Sequence, residues 1–498
     1  MIPVDTQSRV LLKTAPTLSA TAVATGSDAP FLPREHSESP RPHFLSGWAA
    51  DSLIVAILAP SLALTSSWVP RFLLAVIILD IPLQVGTHLY YRESDAAVGA
   101  MGGLSLSATT IALAGLYVSW LIRTLIRRNF RQRSSLRISI ALLLYILVNV
   151  LSISVAQDVP LALFEVTLLV ESSLLFFYVA NVIRTRPDVL FVVVLLLIAC
   201  LAESALMIAM RLTVTPSTMW DLPIHLRADW AAHGTFMRIG GTVGSPNVAA
   251  AYLSISLALG ASVLFTSLTR TYKVLAMWVL GLGSVALILT FSRGGWLALM
   301  LAVAILCFAV WRRRGLSTKV LLATAGLLLL LYLPFHNVVS ARVLGDDKGS
   351  AESRVPLMNL AFRIVEANPV LGVGANNFTV VMNRYLSPEF RQGFLFAVHN
   401  KYLLVLAETG PVGLLAFLAF LLGTMWRGWQ CWRLCEEPFS LLALGLTTGI
   451  VGHMVHMTVD VFRGRPTQQL VWLIAGLLTA MYRMRSASSS SDSLPRTS

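Results

Sequence analysis

Charge is scarce in this chain. Asp, Glu, Lys and Arg make up 13% of its 498 residues, about half the ~25% usual in soluble proteins. Because 56% of the residues are apolar, that balance excludes a soluble globular fold. Cysteine is scarce as well. Cys200 and Cys307 fall inside apolar runs, and Cys431 and Cys435 sit at a spacing unlike zinc motifs, so neither a disulfide nor a zinc site is expected. The first thirty residues lack the continuous apolar core of a cleavable signal peptide. No internal repeat stands out, which weakens a transporter built from duplicated halves.

The apolar residues that are present arrive in blocks. Stretches such as 188–210 and 412–426 approach or exceed the roughly 20 residues a helix needs to cross a bilayer. Lipid offers no hydrogen-bond partners and the runs are continuous rather than alternating, so the blocks read as helices and not as barrel strands. Spans are expected near 48–66, 71–91, 98–122, 138–156, 160–182, 188–210, 246–268, 274–292, 294–311, 319–335, 401–426, 439–460 and 467–484. The fold class is therefore all-α, a polytopic transmembrane helix bundle of about 12–13 spans with a large, partly helical periplasmic loop at 336–398. Residues 48–485 form one domain between Ser-rich tails, 1–47 and 486–498, that are expected to be disordered.

Basic residues mark the orientation. They cluster in the connections 123–137, 184–186, 270–273, 312–314 and 427–433, which alternate with connections poor in positive charge. The clusters are expected in the cytoplasm, and 211–245, the apex at Ser292, Arg293 and Gly294, and the loop 336–398 on the outer face. The formal charge of +13 follows from this topology and points to anionic lipid, not nucleic acid, as partner.

Several residues on the expected outer face invite two readings. Arg293 runs against the positive-inside bias: it either snorkels to headgroups or clamps an anion, with Gly294 and Gly295 admitting a phosphate to the backbone. The loop 336–398, at about 60 residues, is too long for a plain connection. It contains 354–369, where Val355, Leu357, Leu360, Ala361, Ile364 and Val365 recur at helical spacing and Arg354 and Arg363 project from the helix. His399 and Asn400 close this loop, either as polar interface residues or, for His399, as a base suited to neutral pH. Glu408 lies deeper and needs a partner, for which Lys401 or an arginine of a neighbouring span is suitable. A Gly-rich turn follows Arg238 and leads to Asn247, which can cap the next helix; the turn lacks the Lys-Ser/Thr ending of a P-loop.

Taken together, these motifs resemble the O-antigen ligase and polymerase family of membrane glycosyltransferases. The resemblance rests on Gly244-Ser245-Pro246-Asn247, Ser292-Arg293-Gly294-Gly295, Glu352-Ser353-Arg354, Pro369 with the run from Gly372 to Phe378, His399-Asn400 and Glu408-Thr409-Gly410, in that order over about 170 residues. It implies an undecaprenyl-diphosphate-linked glycan as donor and a glycan or lipid A core as acceptor. It also implies a bacterial inner membrane location with the site on the outer face. Arg293 and Arg354 then bind the donor's diphosphate and His399 serves as general base, with Arg238, Asn247, Arg363, Asn400 and Glu408 as supporting substrate contacts. No cofactor or metal is implied, because guanidinium groups can meet the charge of a departing diphosphate. Inverted stereochemistry follows from a single displacement. No motif separates ligase from polymerase. The competing reading is a transporter or flippase, for which Asp80, Glu165, Glu171 and Glu203 within the spans would form a proton relay.

Overall fold

The computed structural model describes residues 68–126, 138–213, 225–231, 234–314, 354–387 and 395–491. The spans expected at 48–66 and 319–335, and the N-terminal tail, lie outside the described residues. In chain order the described elements are α1 (Trp68–Leu83), β1 (Gly86–Leu89), α2 (Glu93–Ala97), β2 (Leu104–Ser107), α3 (Ala108–Ile126), α4 (Ile140–Ser152), α5 (Val159–Val182), α6 (Arg186–Thr213), β3 (His225–Ala231), β4 (Gly234–Gly241), α7 (Pro246–Phe265), α8 (Arg270–Leu289), α9 (Arg293–Arg314), α10 (Arg354–Ala367), α11 (Phe378–Val381), α12 (Lys401–Leu434), α13 (Phe439–His456) and α14 (Arg465–Ser491). Eight of these helices are long and apolar enough to cross a membrane: α3, α5, α6, α7, α8, α9, α12 and α13. The all-α polytopic reading holds.

Of two antiparallel hairpins, the first departs from the expected helices. α1 stops at Leu83, and Gln84 takes a positive φ of 51°, so the stretch read as one span over 71–91 ends in β1. The stretch read as a span from residue 98 is first a turn and β2, whose Leu104 pairs with Leu89. A β-carbon on Gly86 would meet the backbone of Leu106 and Ser107, which explains the glycine where the two strands cross closely. β2 alternates apolar and polar residues over Leu104–Ser107, a strand period hidden by the longer apolar blocks on either side. The second hairpin, β3–β4, lies within the connection 211–245. The C-terminal helix continues to Ser491, into the stretch read as a tail.

Helix packing rests on small residues. Gly445 and Gly449 of α13 face Ser262 and Ile255 of α7, and Gly452 faces the Ala298 carbonyl of α9 with no room for a β-carbon. In a lipid environment, where apolar surfaces gain little by leaving the solvent, such close approach supplies the van der Waals contact that joins helices. Phe176, Phe420 and Trp472 fill the centre with ring centroids 5.7 Å and 4.9 Å apart.

One helix is broken on purpose. Within α12, Gly410 has φ 70° and ψ −176° and Pro411 lacks an N–H, so the carbonyls of Ala407 and Glu408 lose their helical partners. The irregular segment after α10 supplies replacements: Val373 N–H donates to Ala407 O and Gly374 N–H to Glu408 O, each at 3.0 Å. Glu408 lies about 10 Å along α12 from its start. Non-helical backbone at such depth is tolerated only when covered by protein, and Val373, Ala375, Asn376 and Asn377 are all buried.

Candidate functional site at one end of the bundle

Chain connectivity puts β1, β2, β4, the start of α9, α10 and the start of α12 at the same end of the bundle, called here the hairpin end. The connections rich in Arg and Lys fall at the other end, where Arg186 pairs with Glu436 at 2.7 Å and Arg71 with Asp188 at 3.1 Å. Arg293 is the first residue of α9, after a turn in which Phe291 has φ 50°. Ser292 Oγ accepts from Gly295 N–H at 3.4 Å, capping α9 and fixing where Arg293 begins.

Arg354 is the first residue of α10, as the helical spacing predicts; Leu357, Leu360, Ala361 and Ile364 form its buried face. That face packs in a second core with Val373, Phe378, Val398, Leu403 and Ala407. Arg354 is half-buried and its charge acts on the His456 ring. Arg363, nine residues on, lies roughly half a turn around the helix from Arg354, and its Nε donates back to Asn359 O at 3.4 Å.

His399 is half-buried just ahead of α12. Bonds on both sides fix it: Ala397 N–H donates to Val98 O at 2.9 Å and Lys401 N–H to Met457 O at 2.9 Å. Its ring packs on Phe396 at 5.2 Å, and Phe396 in turn sits over Gly99, where a β-carbon would meet the ring at 2.6 Å. Asn400 caps α12, accepting from Leu403 N–H at 3.0 Å. Since Met457 directly follows α13, whose last residue touches Ser292 (His456 Nε2 to Ser292 Oγ, 3.5 Å), the end of α13 links the start of α9, Arg354 and His399 in one neighbourhood.

The supporting residues have structural partners. Arg238 is buried; its Nε donates to Thr290 O at 2.9 Å and Nη2 to Asn247 Oδ1 at 2.8 Å, joining β4 to the end of α8 and the start of α7. Asn247 therefore does not cap α7; Ser245 does, accepting from Val248 N–H at 3.4 Å. Glu408 Oε1 accepts from Arg463 Nη2 at 2.6 Å and from Phe378 N–H at 3.1 Å. The partner of Glu408 is thus an arginine of the connection between α13 and α14, and Lys401 instead approaches Glu165 at 4.0 Å. Arg463 Nη1 also donates to Asn376 Oδ1 at 2.5 Å, while Asn376 Nδ2 donates to Met101 O and Leu161 O.

The remaining carboxylates are equally engaged. Asp80 accepts from Val85 N–H, Thr109 N–H and Thr109 Oγ1 and lies 3.3 Å from Arg465. Glu171 accepts from Thr110 Oγ1 and Gln469 Nε2. Glu203 accepts from Thr242 N–H and Oγ1, holding the turn before α7. Sequence reasoning missed Arg463 and Arg465, although both break the positive-inside bias as Arg293 does. A match of bias-breaking arginines to buried acids would have found them.

These features define a multi-pass membrane protein with basic groups and a histidine gathered where its helices end. Residues 278–418 match the family model described as O-antigen ligase, a match that supports assignment to that family. The match contains Arg293, Arg354, His399 and Glu408, and it supports a membrane glycosyltransferase-like function. A chain from the solved structure described as "Structural coordination of polymerization and crosslinking by a peptidoglycan synthase complex" is similar at 17% identity and a TM-score of 0.38, over 69% of this chain and 97% of that one. A likeness that distant carries no argument here. No match is found among curated proteins.

Proposed function

We propose that the protein transfers a glycan from an undecaprenyl-diphosphate donor to an acceptor hydroxyl on the outer face of the bacterial inner membrane, as an O-antigen ligase or a surface-polysaccharide polymerase. The observation that carries this reading is the convergence on the end of α13 of three half-buried residues far apart in sequence, Arg293, Arg354 and His399. His399 removes the acceptor's hydroxyl proton as that oxygen attacks the anomeric carbon. A new carbon–oxygen bond forms, the bond to the diphosphate breaks, and the electron pair leaves with the diphosphate. Arg293 and Arg354 bind the phosphates and stabilise the developing charge. Displacement from the far face inverts the anomeric centre. No metal is required when two guanidinium groups meet that charge. The acceptor is a second glycan or a lipid A core.

The transporter reading has less support, because Asp80, Glu171 and Glu203 are hydrogen-bonded within the protein and Glu165 lies 3.8 Å from Arg463. Purified protein in detergent, given donor and acceptor without sealed vesicles, tests the proposal directly. Glycosylated product is expected, and its absence from a folded preparation that retains bound donor would overturn the transferase reading.

A further inference from the structure

His456, the last residue of α13, is 2% exposed. Its ring lies against the turn that launches α9: a β-carbon on Gly294 would meet Cδ2 at 2.5 Å and Nε2 at 2.6 Å. Phe462 closes another side at 4.7 Å between centroids. Ser292 Oγ, which accepts from Gly295 N–H, also hydrogen-bonds His456 Nε2 at 3.5 Å, the donor being set by the ring tautomer. Nδ1 has no hydrogen-bond partner among the described residues, a costly state for a buried ring nitrogen. Leucine would fill this volume without stranding a nitrogen, so packing alone does not account for an imidazole here.

We propose that His456 is a positioning residue for the donor's diphosphate. By holding Ser292 and occupying the space above Gly294, it fixes the direction in which Arg293 leaves the first turn of α9, facing the volume that Arg354 also serves. The inference rests on the transferase reading above and adds to it a group outside the family match. His456 does not touch the reacting atoms. Its effect is on donor affinity, whereas that of His399 is on turnover.

The experiment uses the full chain in detergent with undecaprenyl diphosphate as probe, alongside transfer assays that resolve kcat and KM for donor and acceptor. His456→Ala is expected to weaken probe binding about tenfold, equivalent to ~1.4 kcal/mol, and to raise donor KM by a similar factor with acceptor KM unchanged. His456→Gln, whose amide oxygen can accept from Ser292, should recover part of the loss. Gly294→Ala should also weaken binding by displacing the ring, and should add little in a His456→Ala background. If His456→Ala fails to insert, the Gln variant and Gly294→Ala carry the same comparison. The inference is overturned if the His456 variants bind and turn over as wild type while Arg354→Ala loses affinity, or if Gln recovers nothing relative to Ala. Wild-type protein that ignores undecaprenyl diphosphate would overturn the transferase reading itself, and this inference with it.

Discussion

Arg354 and Arg463 both lie at the hairpin end of the bundle, yet their surroundings differ completely. Arg463 is 6% exposed, hydrogen-bonds Glu408 and Asn376, and lies 3.8 Å from Glu165. Arg354 is half-buried and makes no hydrogen bond or ion pair among the described residues. The first guanidinium is used up by the protein, and the second keeps its donors for something else. Buried charge in a bundle is retained when it is paired, and Asp80, Glu165 and Glu408 each lie within 4.0 Å of Lys401, Arg463 or Arg465. That set holds the broken helix and the irregular segment together. A guanidinium left open beside a histidine has no such structural duty, and the contrast separates candidate chemistry from framework more sharply than residue type does.

The largest effect expected at the candidate site is at His399. His399→Ala should reduce glycan transfer by ~10²–10⁴-fold with membrane abundance unchanged, measured as product formed per protein inserted. Undiminished transfer would remove the general base. Arg354→Ala should follow with a loss of about 10²–10³-fold, the scale of removing one donor from a charge-stabilising site. Arg354→Lys should restore only part of it, since an ammonium cannot offer two parallel bonds to a phosphate. An Arg354→Ala variant that loses abundance instead of activity would move Arg354 into the framework class.

On the closed side, Arg463→Ala should destabilise the protein by about 3–5 kcal/mol by leaving Glu408 buried without its partner. The measurement is thermal unfolding in detergent. The double change Arg463→Leu with Glu408→Leu should recover much of that loss, because the pair's cost disappears with the pair. Normal stability with lost transfer in Arg463→Ala would erase the distinction between the two arginines.

Sequence reading reached the helices and the candidate site residues for the same physical reason. A span announces itself by its length of apolarity, α10 by the spacing of Leu357, Leu360, Ala361 and Ile364, and Arg293 by standing where positive charge is disfavoured. What it missed depends on contacts between segments far apart. β1 and β2 are four residues each, too short for a strand period to stand out against the apolar blocks beside them. The pairing of Glu408 with Arg463, and of Lys401 with Glu165, is set by how α12 packs on α5 and on the connection before α14. His456 gave no local signal beyond being a polar residue inside an apolar run. Asn247 was readable as a cap because Asn favours that position, but Ser245, two residues earlier, is equally suited and takes the role.

The smallest expected effect tests whether the break in α12 belongs to the framework. Gly410 has φ 70°, a region that costs an L-residue about 1–3 kcal/mol, and a β-carbon there would strike the Val370 carbonyl. Gly410→Ala should therefore lower stability modestly, by roughly 1–3 kcal/mol, through the joint between α12 and the segment 369–377. Because the start of α12 is held separately, by Lys401 N–H on Met457 O and by Asn400 on Leu403 N–H, His399 should stay in place. Transfer per folded molecule should then remain near wild type. If Gly410→Ala instead leaves stability intact and abolishes transfer, the break is part of the working site, and the division between open and closed charge must be redrawn to include the backbone that Glu408 and Arg463 support.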